Sequence, residues 1–280
     1  MSESLPPGLH IVATPIGNLG DLSPRASETL RRADRILVED TRVTAKLLQH
    51  IGAMVPMTRY DDHSSSEERQ RIVGQLGDKA IALVSDAGTP LISDPGYKLV
   101  RAARAAGHAV HTVPGPCAAI AALTLAGLPT DRFLFLGFLP AKSGARANAI
   151  KDVTDIRATL VMYETGPRLA ATLTALEAGL GPRDAAVARE ITKLYEECVT
   201  GSLADLARRY AHAAAPPKGE IVIVVAPPRE EEAASDAVID KLLDDALARL
   251  SPSRAAAEVA EQLNIPRKRA YARALERSRK

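Results

Sequence analysis

Short runs rich in Val, Ile, Leu and Ala alternate with longer helical patterns over most of this chain. The strand candidates are Leu9–Ala13, Arg35–Val38, Ala80–Val84, Ala109–Val113, Phe133–Phe138, Ala158–Tyr163, Ala185–Arg189 and Glu220–Val225. Helix candidates lie between most of them, at Pro24–Ala33, Thr44–Ile51, Ser66–Gln75, Gly96–Ala106, Cys117–Ala126, Arg168–Ala178 and Ser202–Ala213. Because parallel strands need a crossover that is usually a helix, this order predicts an α/β fold with a largely parallel sheet.

A length of 280 residues leaves room for two such domains and an appendage. Pro129 with the polar residues after it marks one boundary, and the pair Pro227-Pro228 marks another. The predicted organisation is an N-terminal α/β domain at residues 1–128, a second α/β domain at 129–228, and a charged linker with a basic helical extension at 229–280. The segment Pro140–Ala147, which contains Lys, Arg, Ser and Gly, is expected to be an exposed loop.

The segment Ser85–Gly96, SDAGTPLISDPG, joins a buried-strand pattern to a helical pattern. It has twelve residues, whereas ordinary connections of this kind have about 2–6. Its two glycines let the backbone approach a ligand closely, and its two prolines restrict the loop's shape. Since open α/β sheets bind ligands at the carboxyl ends of their strands, we predict a ligand-binding loop here. A structural surface turn is the alternative.

Six other polar segments lie at the ends of predicted strands. They are Thr14–Asp21 (TPIGNLGD), Glu39–Arg42 (EDTR), Val113–Ala119 (VPGPCAA), Tyr163–Arg168 (YETGPR), Ala188–Lys193 (AREITK) and Lys218–Glu220 (KGE). The first matches neither the dinucleotide-binding GxGxxG pattern nor a P-loop, so a pyrophosphate ligand is not indicated. A small cofactor without phosphates fits better. The EDTR run, taken alone, indicates helix capping.

Composition excludes several classes of protein. The formal net charge is only +2, so no overall field indicates a nucleic-acid partner. Cys117 and Cys198 lie far apart, which favours a reducing compartment, and no Cys or acidic cluster joins the scattered histidines into a metal site. The N-terminus is polar, and the apolar stretch Cys117–Leu128 is too short to span a bilayer. We therefore expect a cytoplasmic protein with no membrane segment and no metal.

The C-terminal residues separate into an acidic and a basic part. Residues 229–250 carry seven acidic and three basic residues, and residues 251–280 carry eight basic and three acidic ones. Arg269, Arg273 and Arg277 recur every four residues, which puts them on one face of a helix. The pattern predicts a helix-turn-helix-like pair. Its basic stripe either contacts nucleic-acid phosphates or is the solvated face of a tail helix.

The runs TPIGNLGD, EDTR, SDAGTPLISDPG, VPGPCA, YETGPR, ARE-TK and KGE occur here in one order. Together they resemble the bacterial 16S ribosomal RNA 2′-O-methyltransferase family called ribosomal RNA small subunit methyltransferase I. That family is a branch of the tetrapyrrole-methylase-like superfamily. The resemblance covers roughly residues 9–226, and the basic tail is also similar to that family's C-terminal extension.

The resemblance implies S-adenosylmethionine as methyl donor, bound in a cleft between two α/β domains of a homodimer. It implies methylation of the ribose 2′-hydroxyl of one cytidine in the decoding region of 16S rRNA, in the small ribosomal subunit. Transferred motif by motif, the cofactor contacts are Pro15, Ile16, Gly17, Asp86, Ala87, Gly88, Thr89, Cys117, Ala118, Tyr163, Ala188 and Gly219. Family members often have Ser at the position of Cys117. The segment after Tyr60 also departs from the family's usual His-Asn-Glu character.

A ribose hydroxyl is a weak acid, so it must lose its proton as it attacks the methyl group. A carboxylate or Lys near the cleft accepts that proton, or a cation stabilises the developing alkoxide. The catalytic candidates are Glu190, Lys193 and Arg42. A structural ion pair of Arg189 with Glu190 is the alternative. Arg269, Arg273 and Arg277 are the candidate RNA contacts.

Two other functions stay open at this level. A methylase of a tetrapyrrole-like metabolite would share the fold and cofactor but should lack the basic tail and the EDTR run. A non-catalytic RNA-binding ribosome-assembly factor would use the tail but leave the strand-end loops without a role. Cofactor binding separates an enzyme from a binding factor, and salt-sensitive binding to small subunits separates an RNA substrate from a metabolite.

Overall fold

The computed structural model describes residues 5–61, 63–228, 236–263 and 265–278. Internal contacts divide the chain into two compact units, Met1–Pro227 and Pro228–Lys280. The first contains two five-stranded sheets with helices, and the second contains three helices. The predicted α/β class with a helical extension is confirmed. The start of the predicted charged linker, residues 229–235, lies outside the described residues.

The first sheet has the order β3-β2-β4-β1-β5, and all of its neighbouring strands are parallel. Its strands are β1 (Gly8–Val12), β2 (Arg35–Val38), β3 (Met57–Arg59), β4 (Ala80–Leu83) and β5 (Val110–Val113). Its helices are α1 (Pro24–Arg32), α2 (Thr41–His50), α3 (Ser66–Val73), α4 (Tyr97–Ala105) and α5 (Ala118–Leu125). Because the strands are parallel, the loops that follow β1, β2, β4 and β5 meet at one edge.

The second sheet has the order β6-β7-β10-β8-β9. Its strands are β6 (Phe133–Phe138), β7 (Thr159–Thr165), β8 (Asp184–Arg189), β9 (Glu197–Ser202) and β10 (Glu220–Val225), with helices α6 (Ser143–Lys151), α7 (Gly166–Leu180) and α8 (Leu203–Ala211). Only β6 and β7 are parallel. The expectation of a largely parallel arrangement is wrong for this sheet, because β8 and β9 form an antiparallel hairpin across a short connection.

Antiparallel pairing brings the ends of β7, β8 and β10 together. It places the first residue of β10, Glu220, opposite Thr165 at the end of β7. It also places Ile221 opposite Arg189 at the end of β8. Three polar segments that are far apart in sequence therefore meet at one end of the second sheet.

The segment predicted as an exposed loop at Pro140–Ala147 is a loop only up to residue 142. Helix α6 begins at Ser143, and its Arg146 and Ile150, one helical turn apart, are both buried. Ile150 belongs to the apolar core between the second sheet and its helices. The prediction is wrong from Ser143 onward. The Lys and Arg residues of this segment suggested solvent exposure, although Arg146 is buried in the helix.

Helix α5 connects the two sheets. It follows β5 of the first sheet, yet its Ala122 and Leu123 pack with Val161, Ala186 and Val222 of the second. The predicted boundary at residues 128 and 129 thus falls between two sheets that share one compact unit. No helix among the described residues is long and apolar enough to cross a membrane.

The C-terminal unit consists of α9 (Asp236–Leu247), α10 (Pro252–Gln262) and α11 (Arg267–Arg277). Its core is small and apolar, and it includes Ile239, Leu243, Val259, Ala270 and Ala274. All three helices contribute to this core, so removal of any one of them exposes the apolar face of the others.

Candidate functional site

A cavity of about 310 Å³ lies between the two sheets of the first unit. The loop that follows β4 lines one side, with Asp86–Thr89 and Ile92–Asp94. The ends of β7 and β10 line the other, with Tyr163–Thr165 and Gly219–Val222. A neighbouring pocket of about 380 Å³ shares Ile16, Asp86, Ala87 and Glu220 with it. The two spaces together form what we call the cleft.

Most of the expected cofactor contacts line this cleft. Ile16, Asp86, Ala87, Gly88, Thr89, Cys117, Ala118, Tyr163 and Gly219 line the first cavity, and Pro15 and Gly17 line the neighbouring pocket. Ala188 lines neither. It is fully buried on β8, in the apolar cluster that packs against α5.

The loop that follows β4 is tied to its neighbours by backbone bonds. The Thr14 amide donates to Gly88 O at 2.8 Å, and the Gly88 amide donates to Thr14 O at 3.1 Å. The Thr89 hydroxyl donates to Pro116 O at 2.8 Å. Gly88 has φ +81°, and a Cβ added there would lie 3.1 Å from Ile16 Cγ2. Both the backbone conformation and the lack of space therefore favour glycine at this position.

Acidic side chains dominate the first-sheet side of the cavity. An Asp86 carboxylate oxygen accepts a bond from the Asp40 amide at 3.0 Å, and Glu39 accepts one from the Asp86 amide at 3.3 Å. With Asp94, three carboxyl groups from this side line the cavity, and none of its described lining residues is Lys or Arg. Such a site favours a cationic ligand over a phosphate.

The YETGPR run lines the cavity and also stabilises the junction between β7 and α7. Glu164 is 2% exposed, and its carboxylate accepts bonds from the Thr165 amide at 2.8 Å and the Thr172 hydroxyl at 2.6 Å. Arg168 lies 3.2 Å from it. These bonds fix the junction of β7 and α7, so this buried carboxylate is already occupied by protein partners. Burial raises the pKa of the neighbouring Tyr163, which keeps its phenol neutral.

Lys193 and Glu190 meet at the mouth of the neighbouring pocket. Lys193 Nζ donates to Glu190 Oε1 and to Glu220 Oε2, each at 3.0 Å. The stem of Lys193 covers Gly17, where an added Cβ would lie 2.4 Å from Lys193 Cε. The lysine therefore reaches across the cleft from the β8–β9 hairpin to the loop that follows β1.

The charge states of this pair follow from these contacts. The hydrogen bond from Lys193 lowers the pKa of Glu190. Desolvation lowers the pKa of Lys193, but the bonds to Glu190 and Glu220 outweigh it and raise the pKa above its ordinary value. Arg189 is not the partner of Glu190, since its guanidinium bonds Glu197 at 3.0 Å. Glu190 and Lys193 therefore form an ion pair at neutral pH.

Arg42 lies outside both pockets, although its neighbour Val43 lines one of them. Its side chain is 87% exposed and forms an ion pair with Asp40 at 2.5 Å. Hydrogen bonds from Arg42 lower the pKa of Asp40 to about 2. Asp40 also caps α2 by accepting a bond from the Arg42 amide at 2.8 Å, as the EDTR run by itself indicated.

The three tail arginines face acidic residues of α9 within the C-terminal unit. Arg269 pairs with Asp236 at 2.7 Å, and Arg273 pairs with Asp240 at 2.6 Å. Arg277 pairs with Asp240 and Asp244. The basic stripe predicted for α11 therefore lies against an acidic stripe with the same four-residue repeat.

Sequence reasoning missed several cleft residues, including Lys46, Ser93, Asp94 and Phe138. Asp94 lies inside the loop that the sequence singled out, yet nothing in the sequence indicates which of its twelve residues face the cleft. The sequence predicts Phe138 at the end of a strand, but only the tertiary structure brings its ring 5.6 Å from that of Tyr163. Lys46 lies in a predicted helix, and nothing in the sequence indicates that it lines the cleft.

Comparison with known proteins agrees with this geometry. The family model "Tetrapyrrole (Corrin/Porphyrin) Methylases" matches residues 8–207, and the model "RsmI C-terminal HTH domain" matches residues 233–278. Two similar curated proteins carry the name ribosomal RNA small subunit methyltransferase I. The one from Erythrobacter litoralis is 55% identical over 98% of this chain and 97% of its own. The one from Pseudomonas aeruginosa is 43% identical over 97% of this chain and 98% of its own.

Solved structures share the fold at low sequence identity. A diphthine synthase superposes with a TM-score of 0.61 at 18% identity, over 78% of this chain and 89% of its own. A uroporphyrin-III C-methyltransferase from Thermus thermophilus, complexed with S-adenosyl homocysteine, superposes with a TM-score of 0.52 at 18% identity. That match covers 78% of this chain and 97% of its own. These likenesses show that the two sheets adopt the tetrapyrrole methylase fold.

Proposed function

Because the chain belongs to the ribosomal RNA small subunit methyltransferase I family, we propose that it uses S-adenosylmethionine to methylate small-subunit rRNA. The proposed product is a 2′-O-methylated cytidine in the decoding region of 16S rRNA. The full-length relatives and the matching C-terminal family model favour an RNA substrate over a tetrapyrrole-like metabolite. The cleft in the shared methylase fold favours an enzyme over a non-catalytic assembly factor.

The chemistry of the cleft carries the cofactor assignment. S-adenosylmethionine has a positive sulfonium and no phosphate, and the first cavity has carboxylates from Glu39, Asp86 and Asp94 with no Lys or Arg among its described lining residues. The glycine-containing loop offers backbone groups, and Ile221 and Val222 offer an apolar wall. These residues fit a small cationic cofactor with an adenine ring. When bound, the cofactor supplies an activated methyl group.

Lys193 and Glu190 have distinct proposed roles. The raised pKa keeps Lys193 protonated, so it serves as a cation that stabilises negative charge developing on the ribose oxygen. Glu190 has a lowered pKa and holds Lys193 in position. Arg42 is exposed next to Val43, which lines the neighbouring pocket, and its proposed role is contact with an RNA phosphate.

Mapping of ribose methylation tests the assignment directly. Small subunits from cells that lack this protein should carry no 2′-O-methyl group at one decoding-region cytidine, and purified protein with S-adenosylmethionine should restore it. Modified ribose is resistant to alkaline cleavage, so the site can be read at single-nucleotide resolution. An identical methylation map with and without the protein contradicts an RNA-methylating function. Methylation of a tetrapyrrole instead supports the metabolite enzyme.

The C-terminal unit is proposed to add salt-dependent affinity for RNA through Arg269, Arg273 and Arg277. Its arginines are paired with aspartates, so phosphates must compete with those pairs. Removal of residues 228–280, the whole compact unit, should weaken subunit binding and flatten its salt dependence. Each lost phosphate contact changes the logarithmic slope by about 0.7–0.9.

Cofactor affinity provides the control for this deletion. Every residue that lines the cleft precedes residue 228, so calorimetry should give an unchanged S-adenosylmethionine affinity. Equal subunit affinity and an equal salt slope in the shortened protein contradict an RNA-binding role for the tail. In that case the arginines would serve only to hold α11 against α9 through their ion pairs.

A homodimer in the cytoplasm is also part of the proposal. Strand β6 lies at an edge of its sheet, and its Phe133 is 46% exposed. An apolar edge of this kind is suited to a second copy of the chain. Cytoplasmic location follows from the proposed ribosomal substrate.

A further inference from the structure

We propose that Asp94 is the general base that removes the proton from the ribose hydroxyl during methyl transfer. The inference rests on the proposed function. It names a proton acceptor for the reaction, which the Glu190–Lys193 pair does not provide. A protonated lysine does not accept a proton, and a carboxylate whose pKa is lowered by an ion pair is a poor acceptor.

Asp94 lies where the two sheets approach each other. It lines the cavity together with Cys117 and Tyr163, which come from α5's cap and from β7. Its neighbour Ser93 touches the second sheet, since a Cβ added to Gly137 would lie 3.2 Å from Ser93 Oγ. The Asp94 carboxyl is thus placed at the cofactor cavity, beside the strand that closes it.

The backbone around Asp94 holds the loop in an unusual shape. Leu91 and Ser93 have φ values of +75° and +65°, which side-chain-bearing residues rarely adopt. Gly96 follows at +128°, where an added Cβ would lie 2.7 Å from Leu83 Cδ2. Strained positions of this kind persist where the surrounding structure fixes the chain, and they concentrate at active sites.

The other carboxylates of the cavity are committed to other bonds. Glu39 and Asp86 accept backbone amides, and Glu164 is enclosed by Thr165, Thr172 and Arg168. Glu220 bonds Lys193. Asp94, by contrast, makes no ion pair within the described part of the chain, and the nearby Ser85 hydroxyl donates to Ala87 O at 3.2 Å.

The groups that face Asp94 suit it to accept a proton near neutrality. Burial raises its pKa to about 6, and the negative charges of Glu39 and Asp86 contribute, while the Ser85 hydroxyl opposes the shift. The neutral Tyr163 phenol faces it from β7. A base is most effective when its pKa lies near the working pH, so Asp94 is better matched than an ordinary aspartate near 3.9.

The step balances without any further reactant. The ribose oxygen forms a bond to the methyl carbon of the donor, and the donor's sulfur–carbon bond breaks with its electron pair passing to sulfur. The hydroxyl proton passes to the Asp94 carboxylate and then to solvent. The products are a 2′-O-methyl ribose, S-adenosylhomocysteine and one proton.

Asp94→Asn tests the inference, because asparagine keeps the size of the side chain and cannot accept the proton. Single-turnover methylation of small subunits should fall about 10²–10⁴-fold at pH 7.5. The wild-type rate should rise with pH through an inflection at or slightly below about 6, because the bound cation lowers the pKa of Asp94. The variant should lose that inflection, and Asp94→Glu should restore part of the rate.

Two readouts do not depend on turnover. Calorimetry should give only a modest loss of S-adenosylmethionine affinity for Asp94→Asn, equal to the factor by which the bound cofactor lowers the pKa of Asp94. Carboxyl-carbon NMR of the free protein should show one aspartate that titrates near pH 6 and vanishes in the variant. Asp78→Asn is the matched control, since exposed Asp78 lies before β4, at the end opposite the cleft, and should change none of these measurements.

The outcomes separate this inference from the proposed function. Wild-type protein that methylates no ribose overturns both. Active wild type with Asp94→Asn at the same rate and the same pH profile overturns the role of Asp94 alone. Weaker cofactor binding with an unchanged rate at saturating cofactor would make Asp94 a cofactor ligand instead of a base.

Discussion

Gly88→Val is expected to weaken S-adenosylmethionine binding by at least about 100-fold while the protein remains folded. A β-branched residue at φ +81° is strained by about 1–3 kcal/mol, and a loop that shifts to relieve this strain no longer presents its backbone to the cofactor. The new side chain would also press on Ile16, which lines both pockets, and push the loop toward the cofactor space. Isothermal calorimetry measures the affinity, and circular dichroism verifies the fold.

Gly107→Val is a matched control for that experiment. Gly107 has φ +79°, nearly the same backbone conformation, but nothing lies within 4 Å of an added Cβ and the residue is remote from both pockets. It should show a comparable loss of stability with unchanged cofactor affinity. If a folded Gly88→Val protein binds the cofactor as tightly as wild type, the cofactor does not occupy this cleft.

Lys193→Met should lower the rate of methyl transfer about 10²–10³-fold, the usual effect of removing one preorganised charge from a developing anion. Methionine keeps most of the stem that covers Gly17, so the pocket wall is preserved. Cofactor affinity should change little, because the proposed stabilisation grows only as the hydroxyl loses its proton. Single-turnover assays at saturating cofactor measure the rate.

Glu190→Gln should have a smaller effect in the same assay, because glutamine still accepts a hydrogen bond from Lys193 and Glu220 still supplies a carboxylate. Lys193→Arg should retain part of the rate, since it keeps the charge. Lys151→Met, at the exposed end of α6, should leave the rate unchanged. Wild-type turnover by Lys193→Met would contradict the role of this lysine, and Lys46 in the same pocket and Arg42 would be the next cations to test.

The local pattern of the sequence determined most of the strands and the position of the ligand loops. Phe133–Phe138, Arg35–Val38 and Glu220–Val225 were predicted with the bounds that the structure has. Apolar runs of this kind encode burial within a few residues, so they can be recognised without knowing what covers them. The short strand Met57–Arg59 and the mixed polar strand Glu197–Ser202 lack such a run, and both were missed.

The family was also recognisable from the sequence, because the loop residues are constrained one by one. SDAGTPLISDPG combines residues with defined backbone limits, and Gly88 shows the reason in its φ of +81° and its contact with Ile16. Each such position restricts which residues can occupy it. Seven short runs in one order therefore identify a family, whereas a single run does not. The relatives and the fold confirm that family.

Only the tertiary structure decided which of these residues act together. Antiparallel pairing brings Glu220 beside the ends of β7 and β8, which lets Lys193 bond two carboxylates from different segments. The tail arginines find their aspartates 33 residues earlier in the chain, and Asp94 becomes half-buried beside Glu39, which is 55 positions away. Periodicity describes one element at a time, whereas an ion pair, a cavity wall or a shifted pKa depends on what a different element places opposite it.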